Sequence, residues 1–439
     1  MKRYQPIIGI TIVLVLGIAI GVILVGQNPD SPLSLISSAN AQSVAEPAAA
    51  ATALTFVAQS SSPSPVKALG DRDVYYPGTE DLAPDEMRVT ACGTGMPNAR
   101  PKQAAACWLV ELGNGDKFIF DIGTGSAERL SALKIPYDYL DKVFIGHLHS
   151  DHFGDMDALW VGGVISNRVN PLRVWGPSGH QPEYGTAYAI DHMQKMLTWD
   201  KGSRLGLIDI RGLEIEVHEF DYKAVNQEIY NENGVVIRTI PAIHALDGPV
   251  SFILEWNGLK FCYSSDTFPN KWWMEHATGA DIAIHECFAS PKILIDKQKF
   301  LPVVALNVGT QVHTSPAQFG KVMALTRPRM AVGYHFFNDF DTAPVILAEI
   351  RKTYDGPLAL ATDYMVFNVT KDDVRVRMAA IDEDIWPQPP TQQKMRPDRS
   401  IRVGFSEYII GGRVPFSEVV QEIYDAINEE YGTNIEPPR

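Results

Sequence analysis

The sequence predicts an α/β protein of four layers (αββα), in which two β-sheets pack face to face and helices cover both outer sides. Short apolar segments typical of strands are mixed with helical segments from about residue 87 onward. The second half of this region repeats the pattern with its strands first. A hydrophobic fraction of 45% supplies a core of ordinary size for such a layered fold.

The first half of the folded region contains five predicted strands and two helical segments. The first strand is followed by Gly93-Thr94-Gly95, and the hairpin signal Gly113-Asn114-Gly115-Asp116 separates the next two. The strands are expected at 87–92, 106–111, 117–123, 141–146 and 172–175, and the helical segments at 126–133 and 184–199. The second of these helical segments is expected to cover the functional site.

The second half is dominated by apolar segments with a period of two residues, as in half-buried strands. Asn257-Gly258 is a turn signal between two of them. The strands are expected at 213–220, 235–241, 250–256, 259–263, 280–284 and 330–334, and a helix at 316–325 lies between the last two.

Changes in composition divide the chain into four predicted segments. Lys2 and Arg3 precede an uncharged apolar run at 7–25 that is long enough to cross a bilayer. This run is longer than the apolar core of most signal peptides, so a retained anchor is favoured over a cleaved signal; both export the domain to the periplasm. The segments are a transmembrane anchor or signal peptide at 1–29, a flexible Ala/Ser/Pro-rich linker at 30–86, the folded domain at 87–382 and a C-terminal extension at 383–439.

The C-terminal extension begins with a proline-rich linker and contains an amphipathic helix predicted at 415–431. Val419, Ile423 and Ile427 lie on one side of this helix, and Gly432 is a stop signal. Two interpretations are open. The helix docks on the core of its own chain, or it forms a homodimer contact.

Net charge and cysteine content argue against some classes of protein. The chain carries 52 acidic and 38 basic residues, and its formal net charge of -14 argues against a nucleic-acid partner, because such surfaces are basic. Its four cysteines form no CxxC pair, which argues against a thiolate zinc site. Cys92 and Cys107 lie in successive apolar segments, where they could pair in an exported protein or serve as small buried hydrophobes.

The segment from His147 to His152 is the strongest chemical signal in the chain. Its sequence, His147-Leu148-His149-Ser150-Asp151-His152, places three imidazoles and one carboxylate within six residues. Imidazole nitrogen and carboxylate oxygen are ligands of zinc and similar metals. A strand would direct these side chains to alternate faces, whereas a loop after a strand can bring them together. The segment therefore predicts a metal-binding loop.

Three more candidate ligands follow predicted strands in the second half of the chain. His244, Asp266 and His335 each come shortly after an apolar segment. Strand ends at one edge of a layered fold lie close together, so these side chains can meet the histidine loop. Two metal ions need more ligands than one loop supplies, and these residues would complete the set.

These motifs resemble the metallo-β-lactamase superfamily over about residues 87–382, most closely its branch of ribonuclease Z, bacterial arylsulfatases and phosphodiesterases. The HxHxDH pattern of the histidine loop is the specific signature. The chain is also similar to hydrolases associated with guanitoxin biosynthesis. The further motifs are Gly93-Thr94-Gly95, Phe120-Asp121-Ile122-Gly123, Pro171-Leu172-Arg173-Val174-Trp175-Gly176-Pro177, Tyr263-Ser264-Ser265-Asp266-Thr267, His285-Glu286-Cys287-Phe288 and His313-Thr314-Ser315.

The resemblance implies the αββα sandwich of the superfamily and a dinuclear metal centre. Nitrogen and oxygen ligands favour Zn²⁺, with Mn²⁺ or Fe²⁺ as alternatives. Asp151 stands where diiron relatives carry a glutamate, which favours hydrolysis over electron transfer. One ion would be bound by His147, His149 and His244, the other by Asp151, His152 and His335, and Asp266 would bridge the two.

Two bound cations predict hydrolysis by attack of a metal-bound hydroxide. Asp151 would orient the nucleophile or accept its proton. By the resemblance, His313 matches a histidine that protonates the leaving group, and a structural role at a helix start is the alternative. Asp121 and His285 would support neighbouring ligands through hydrogen bonds.

The predicted function is an exported hydrolase of small ester substrates, namely sulfate or phosphate esters. Transfer-RNA processing is disfavoured by the predicted export, by the negative charge and by the short segment between His244 and Asp266. The alternatives are a lactonase or another hydrolase of this fold, or a non-enzymatic metal-binding protein. Selectivity is expected to come from the segments 156–167, 184–199 and 336–340.

Overall fold

Two β-sheets form the centre of the fold in the computed structural model, which describes residues 73–437. The strands are β1 (Val74–Tyr75), β2 (Met87–Gly93), β3 (Cys107–Leu112), β4 (Lys117–Phe120), β5 (Lys142–Phe144), β6 (Leu172–Pro177), β7 (Ile215–Phe220), β8 (Gln227–Glu232), β9 (Val235–Pro241), β10 (Val250–Trp256), β11 (Leu259–Tyr263), β12 (Ile282–Glu286), β13 (Met330–Tyr334), β14 (Leu358–Leu360), β15 (Met365–Val369) and β16 (Val374–Ala379). The first sheet has the order β1-β16-β15-β2-β3-β4-β5-β6-β7, and the second has the order β14-β13-β12-β11-β10-β9-β8.

The α-helices connect the strands or follow them. They are α1 (Ser126–Ser131), α2 (Ser150–Phe153), α3 (Met156–Ile165), α4 (Thr186–Met196), α5 (Thr198–Arg204), α6 (Lys271–His276), α7 (Pro291–Gln298), α8 (Pro302–Asn307), α9 (Pro316–Thr326), α10 (Ala343–Ile350), α11 (Glu407–Gly411) and α12 (Ser417–Tyr431). Short 3-10 helices lie at Tyr137–Tyr139, Pro182–Tyr184, Ile210–Leu213 and Arg399–Ile401, and a π-helical turn spans Val308–Val312.

Three large apolar clusters hold the layers together. The largest lies between the two sheets and includes Trp108 of β3, Phe120 of β4 and Phe261 of β11. A second cluster packs α3 and α4 against the outer face of the first sheet, and a third packs α6, α9 and α10 against the outer face of the second. Each sheet is therefore covered on both faces, and the predicted αββα sandwich is confirmed.

The strand directions place several carboxyl ends along one edge of the second sheet. β11, β12 and β13 are parallel neighbours, and β9 runs in the same direction because it and β11 are both antiparallel to β10. In the first sheet β4 and β5 are parallel as well. The candidate ligands follow these strands, so the topology brings residues that are far apart in sequence to neighbouring loops.

The folded domain begins earlier than its predicted boundary at residue 87. β1 pairs in parallel with β16, so that Val74 lies opposite Met378. Glu80 forms a two-point ion pair with Arg377, with N–O distances of 3.0 and 2.8 Å. The prediction of a flexible linker is therefore wrong for residues 73–86. A two-residue edge strand and one ion pair produce no periodic pattern of apolar residues, so this segment does not look folded in the sequence. Residues 1–72, with the predicted anchor or signal and the rest of the linker, lie outside the described residues.

The C-terminal extension first follows the domain and then presents an exposed helix. The backbone N–H of Thr391 donates to Asp138 Oδ2 at 2.6 Å, which ties the start of the extension to the domain. Helix α12 forms close to its predicted range, but Val419 and Ile423 are 51% and 58% exposed. Docking of this apolar face on the core of the same chain is therefore wrong, and a homodimer contact stays a prediction.

Cys92 and Cys107 are buried free thiols, as are the other two cysteines, so they take the alternative role of small buried hydrophobes. Over residues 73–437, no helix combines the length and the apolar character that crossing a bilayer requires.

A buried ion-pair network on the first sheet is expected to stabilise the fold. Glu111 of β3 accepts hydrogen bonds from Arg88 and Lys117, each at 2.8 Å. Burial raises the pKa of the Glu111 carboxyl, but the charges of Arg88 and Lys117 outweigh burial and lower the pKa to about 2. Glu111→Gln should lower the free energy of unfolding near neutral pH by about 3 kcal/mol, because it leaves two cations without their partner.

The pH dependence of this loss follows from the direction of the pKa shift. The folded-state pKa of Glu111 lies below the unfolded value of about 4.3, so its contribution is present above that value and disappears as the pH falls toward 2. Urea unfolding at several pH values should show that the difference in free energy of unfolding between Glu111→Gln and the wild type shrinks below about pH 5. Glu255→Gln, at an exposed position of β10, is the control; an equal loss in this control would contradict the prediction.

Candidate metal centre

The histidine loop starts where β5 ends and lies against the second sheet. The backbone N–H of Gly146 donates to Asp121 Oδ1 at 2.7 Å. A Cβ atom on Gly146 would lie 2.3 Å from the Ser265 hydroxyl oxygen, so this close approach requires glycine. The short helix α2 then turns Asp151 and His152 into the buried interior. A loop anchored on both sides can hold its ligands in place.

Three histidines and one aspartate form the first ligand group: His147, His149, His244 and Asp266. His149 Nδ1 lies 3.0 Å from His147 Nε2 and 3.2 Å from His244 Nε2. Asp266 Oδ2 lies 3.9 Å from His147 Nε2 and 3.7 Å from His244 Nε2. Ligand atoms about 2 Å from one tetrahedral ion are separated by roughly 3.3 Å, so this spacing fits a divalent metal.

A second ligand group lies beside the first and shares one residue with it. It consists of Asp151, His152, Asp266 and His335. His335 Nε2 lies 3.0 Å from Asp151 Oδ2 and 3.3 Å from Asp266 Oδ2. The other oxygen of Asp266, Oδ1, lies 3.2 Å from His152 Nε2. The structure thus brings all seven predicted ligands together in two groups joined by Asp266.

Unsatisfied polar atoms in these groups fit a bound cation. Asp151 Oδ1, His152 Nε2 and Asp266 Oδ1 are buried, and none of them makes a hydrogen bond of acceptable geometry among the described residues, although the last two lie 3.2 Å apart. An unsatisfied buried polar atom costs about 1–3 kcal/mol, which coordination by a metal would remove. The donors are imidazole nitrogen and carboxylate oxygen, a set that suits Zn²⁺, Mn²⁺ or Fe²⁺.

Burial and charge set the protonation of the ligands. Burial lowers the pKa of His244 to about 4, although the Asp266 carboxylate opposes this shift. Burial also lowers the pKa of His152, but the carboxylates of Asp266, Asp121 and Asp151 outweigh burial and raise this pKa well above its usual value. Three carboxylates around one imidazole therefore favour a positive charge at this place. A divalent cation would supply that charge, and neutral imidazole is the form that binds it.

Asp121 connects the histidine loop to the interior of the second sheet. Its Oδ2 accepts hydrogen bonds from Tyr263 at 2.6 Å and Ser265 at 3.0 Å, and it lies 2.6 Å from His152 Nδ1. Together with the bond from Gly146, these contacts fix the ring orientation of His152. The structure therefore places Asp121 where its predicted supporting role requires, and it adds Tyr263, which the sequence motifs did not single out for this network.

Three residues of the centre adopt a backbone conformation that non-glycine residues rarely occupy. The φ angles are 58° at Asp121, 49° at Ser265 and 70° at His335. Such a conformation costs of order 1–3 kcal/mol and persists where the surrounding structure enforces it. Each of these residues lies just after a strand, so the turn changes the direction of the chain at the ligand.

Glu286 was not among the predicted site residues, although the structure places it in the site. Side chains alternate along β12, and Ile282 and Ile284 face the core between the sheets. Glu286 lies two residues after Ile284, so its side chain faces the same side of β12, and it is fully buried. Its Oε2 lies 2.9 Å from His313 Nδ1. The alternation of side chains along β12 was the signal that could have identified the Glu286 carboxylate as part of the site.

The predicted supporting role of His285 is wrong for the same reason. His285 points to the opposite face of β12, where its ring lies 4.8 Å from Trp273. Its Nδ1 lies 2.7 Å from the backbone oxygen of Glu286, and its Nε2 has no hydrogen-bond partner in the described part of the chain. His285 therefore contacts none of the candidate metal ligands.

His313 lies at the edge of both ligand groups. Its ring stacks on Phe288 with centroids 4.0 Å apart and planes 5° from parallel. Its Nδ1 lies 3.8 Å from Asp266 Oδ2 as well as close to Glu286. Asp266, Glu286, His313 and His335 also form a third set of atoms close enough to hold an ion. The geometry is compatible with a proton donor and with a metal ligand.

A cavity of about 330 Å³ opens beside the first ligand group. Of the three segments predicted to determine selectivity, 184–199 contributes Tyr184 and Ala189 to this cavity. The segment 156–167 instead contains α3, which packs on the outer face of the first sheet. Phe336 and Phe337 line a separate cavity of about 190 Å³.

Comparison with known proteins gives the family context of this geometry. A family model described as "Anti-Pycsar protein Apyc1" matches residues 87–294. Ribonuclease Z from Mycobacterium marinum is 31% identical over 205 residues, which are 45% of this chain and 70% of that protein. Ribonuclease Z from Mycolicibacterium gilvum is 28% identical over 253 residues, which are 56% of this chain and 82% of that protein.

Solved structures with low sequence identity are also similar. The metallo-β-lactamase fold protein YhfI from Bacillus subtilis has a TM-score of 0.48 at 17% identity, over 65% of this chain and 100% of that chain. The short form of human tRNase Z has a TM-score of 0.47 at 19% identity, over 64% of this chain and 98% of that chain.

The family assignment combines the sequence relationship with the fold. An identity of 31% extends over more than two thirds of a ribonuclease Z, and the strands and helices form an αββα sandwich with clustered histidines and aspartates. The chain therefore belongs to the metallo-β-lactamase-fold metallo-hydrolases, as a relative of ribonuclease Z, and is a metal-dependent hydrolase.

Proposed function

We propose that this chain is a dinuclear hydrolase of small anionic esters, with phosphate or sulfate esters as its substrates. The observation that carries the proposal is the pair of ligand groups that share Asp266. One buried carboxylate between two sets of imidazoles suits two neighbouring cations. Two bound cations would lower the pKa of a water molecule and polarise the ester.

Asp151 is suited to handle the attacking water. One of its oxygens lies 3.0 Å from His335 Nε2, whereas the other has no hydrogen-bond partner among residues 73–437. A buried carboxylate oxygen without a partner can orient a water molecule or accept its proton. Asp151 is therefore our candidate for this catalytic role.

His313 is suited to protonate the leaving alcohol, with Glu286 as its positioning residue. The contact with Glu286 Oε2 engages His313 Nδ1, so Nε2 is the ring nitrogen that would donate the proton. The other oxygen of Glu286 accepts a hydrogen bond from the backbone N–H of Thr267, which fixes the carboxylate. Stacking on Phe288 restricts rotation of the imidazole.

Cleavage of RNA is the second candidate function. The 31% identity to ribonuclease Z from Mycobacterium marinum favours it. The formal net charge of -14 speaks against it, because proteins that bind nucleic acid usually present basic surfaces. Hydrolysis of an oligoribonucleotide compared with small esters would separate the two functions.

Removal of the shared carboxylate should remove the metals. We expect the wild type to bind two divalent ions per chain, and Asp266→Ala to lose metal and to slow ester hydrolysis by more than about 100-fold. Elemental analysis by mass spectrometry measures the metal, and circular dichroism checks the fold. His192→Ala, on the exposed surface of α4, should retain both ions. A folded Asp266→Ala variant with its full metal content would contradict the dinuclear centre.

A proton donor gives a specific pattern of leaving-group dependence. His313→Ala should slow hydrolysis of an alkyl ester by about 100-fold or more, and that of a p-nitrophenyl ester much less, because nitrophenolate leaves without a proton. Glu286→Gln should show the same pattern with a smaller effect, and His192→Ala should show none. Metal content should stay unchanged in all three variants. A loss of metal on His313→Ala would instead assign His313 as a ligand.

We further propose that the domain is exported to the periplasm. The support is the apolar run at 7–25 behind Lys2 and Arg3. Alkaline phosphatase fused to the C-terminus should be active in intact bacterial cells, because this reporter folds only outside the cytoplasm. A fusion that lacks residues 1–29 is the control and should be inactive. A full-length fusion that is well expressed and inactive would rule out export.

A further inference from the structure

We infer that the 330 Å³ cavity selects esters that carry one negative charge and an uncharged, apolar substituent. This inference rests on the proposed function, since it names the substrate class of the same site. A cavity of roughly 150 Å³ is large enough to hold a benzene ring. The space beside the metal centre therefore accommodates one or two aromatic rings, or a branched alkyl group of similar size.

The position of the cavity determines which part of a substrate it receives. His147, His149 and His244 form one end of the cavity, so a substituent next to the reacting centre would lie inside it. The other walls come from two connections, namely the one after β6, with Pro182–Tyr184, and the loop between β9 and β10. These connections lie outside the metal centre, so they can determine selectivity without changing the ligands.

The walls offer apolar surface to this substituent. Leu148 comes from the histidine loop, Leu246 and Pro249 from the loop between β9 and β10, and Ala189 from α4. Leu246 is 52% exposed, so an apolar group placed against it would remove apolar surface from water. The ring of Tyr184 lies 5.0 Å from that of His180 and adds an aromatic surface.

The charged groups on the walls disfavour substrates with several negative charges. Glu183 and Asp247 line the cavity, and none of the described residues around it is a lysine or an arginine. Asp247 is held in place, because its Oδ2 accepts a hydrogen bond from Tyr222 at 3.2 Å. Two carboxylates repel a further phosphate, whereas the single charge of a diester or a sulfate ester would lie at the end of the cavity formed by the histidine ligands, where bound divalent ions would supply positive charge.

The substrate class can be tested with the full chain loaded with Zn²⁺. The panel is bis(p-nitrophenyl) phosphate, p-nitrophenyl sulfate, p-nitrophenyl phosphate and a short oligoribonucleotide. We expect one of the two singly charged aryl esters to have the highest kcat/KM. Glu183→Lys should raise kcat/KM for p-nitrophenyl phosphate relative to the diester by about tenfold. This ratio compares variants, so differences in intrinsic reactivity between the esters cancel.

The apolar contact can be tested with a pair of matched variants. Leu246→Asp should raise the KM for the aryl diester about tenfold and leave kcat nearly unchanged. The lost apolar contact would stabilise the bound substrate and the transition state equally, so its loss weakens binding without slowing the chemical step. The substitution should also weaken the binding of 2-naphthol, measured by isothermal titration calorimetry, by a similar factor. Leu325→Asp is the control, because Leu325 is 55% exposed on α9 and lies outside the cavity.

The outcomes distinguish this inference from the proposed function. Calorimetry requires no turnover, so 2-naphthol binding tests the cavity even if no ester is hydrolysed. Equal 2-naphthol binding in Leu246→Asp and Leu325→Asp would overturn the inference. So would a higher kcat/KM for the oligoribonucleotide than for the aryl esters, although the protein would then still be a hydrolase. Binding of 2-naphthol that depends on Leu246, without hydrolysis of any ester, would support the cavity and overturn the proposed function.

Discussion

The buried carboxylate of Asp266 is the group around which the metal centre is organised. An ionised carboxylate in the protein interior is costly unless positive charge or hydrogen bonds surround it. His313 Nδ1 lies 3.8 Å from Asp266 Oδ2, and four imidazoles of the two ligand groups, those of His147, His152, His244 and His335, lie within 3.9 Å of the Asp266 oxygens. Two of these histidines come from the loop after β5 and two from loops after strands of the second sheet. The negative charge of Asp266 therefore brings together loops from both sheets at one edge of the fold.

The remainder of the fold serves to hold these loops at fixed positions. The aromatic core between the sheets anchors the strands, and the hydroxyl of Tyr334 donates to Tyr263, which in turn donates to Asp121. Asp121 then contacts His152 and Gly146 on the metal loop. A hydrogen-bonded chain thus runs from the core to a candidate ligand. The positive φ angles at Asp121 and His335 lie where strands end at the metal centre, the kind of position at which surrounding structure holds such conformations.

The ligand groups and the walls of the proposed substrate cavity lie on different parts of this molecule. The ligand groups lie on buried strand ends, where small shifts would disturb several contacts. The cavity walls around Leu246 and Tyr184 lie on exposed connections, which can change without moving the ligands. On the proposed function, this separation explains how the sequence can indicate a metallo-hydrolase while the ester that it hydrolyses would depend on surface loops.

The sequence by itself predicted the αββα sandwich and the seven residues that meet at the candidate metal centre. Four of these residues belong to the local HxHxDH pattern, and His244, Asp266 and His335 each follow a predicted strand. The prediction named His285 and missed Glu286, although the alternation along β12 places Glu286 on the face that meets the site. The early start of the domain at β1, the exposed face of α12 and the walls of the cavity were decided only by tertiary structure. Each of these features depends on residues far apart in the chain, whose contacts leave no periodic or spaced signal in the sequence.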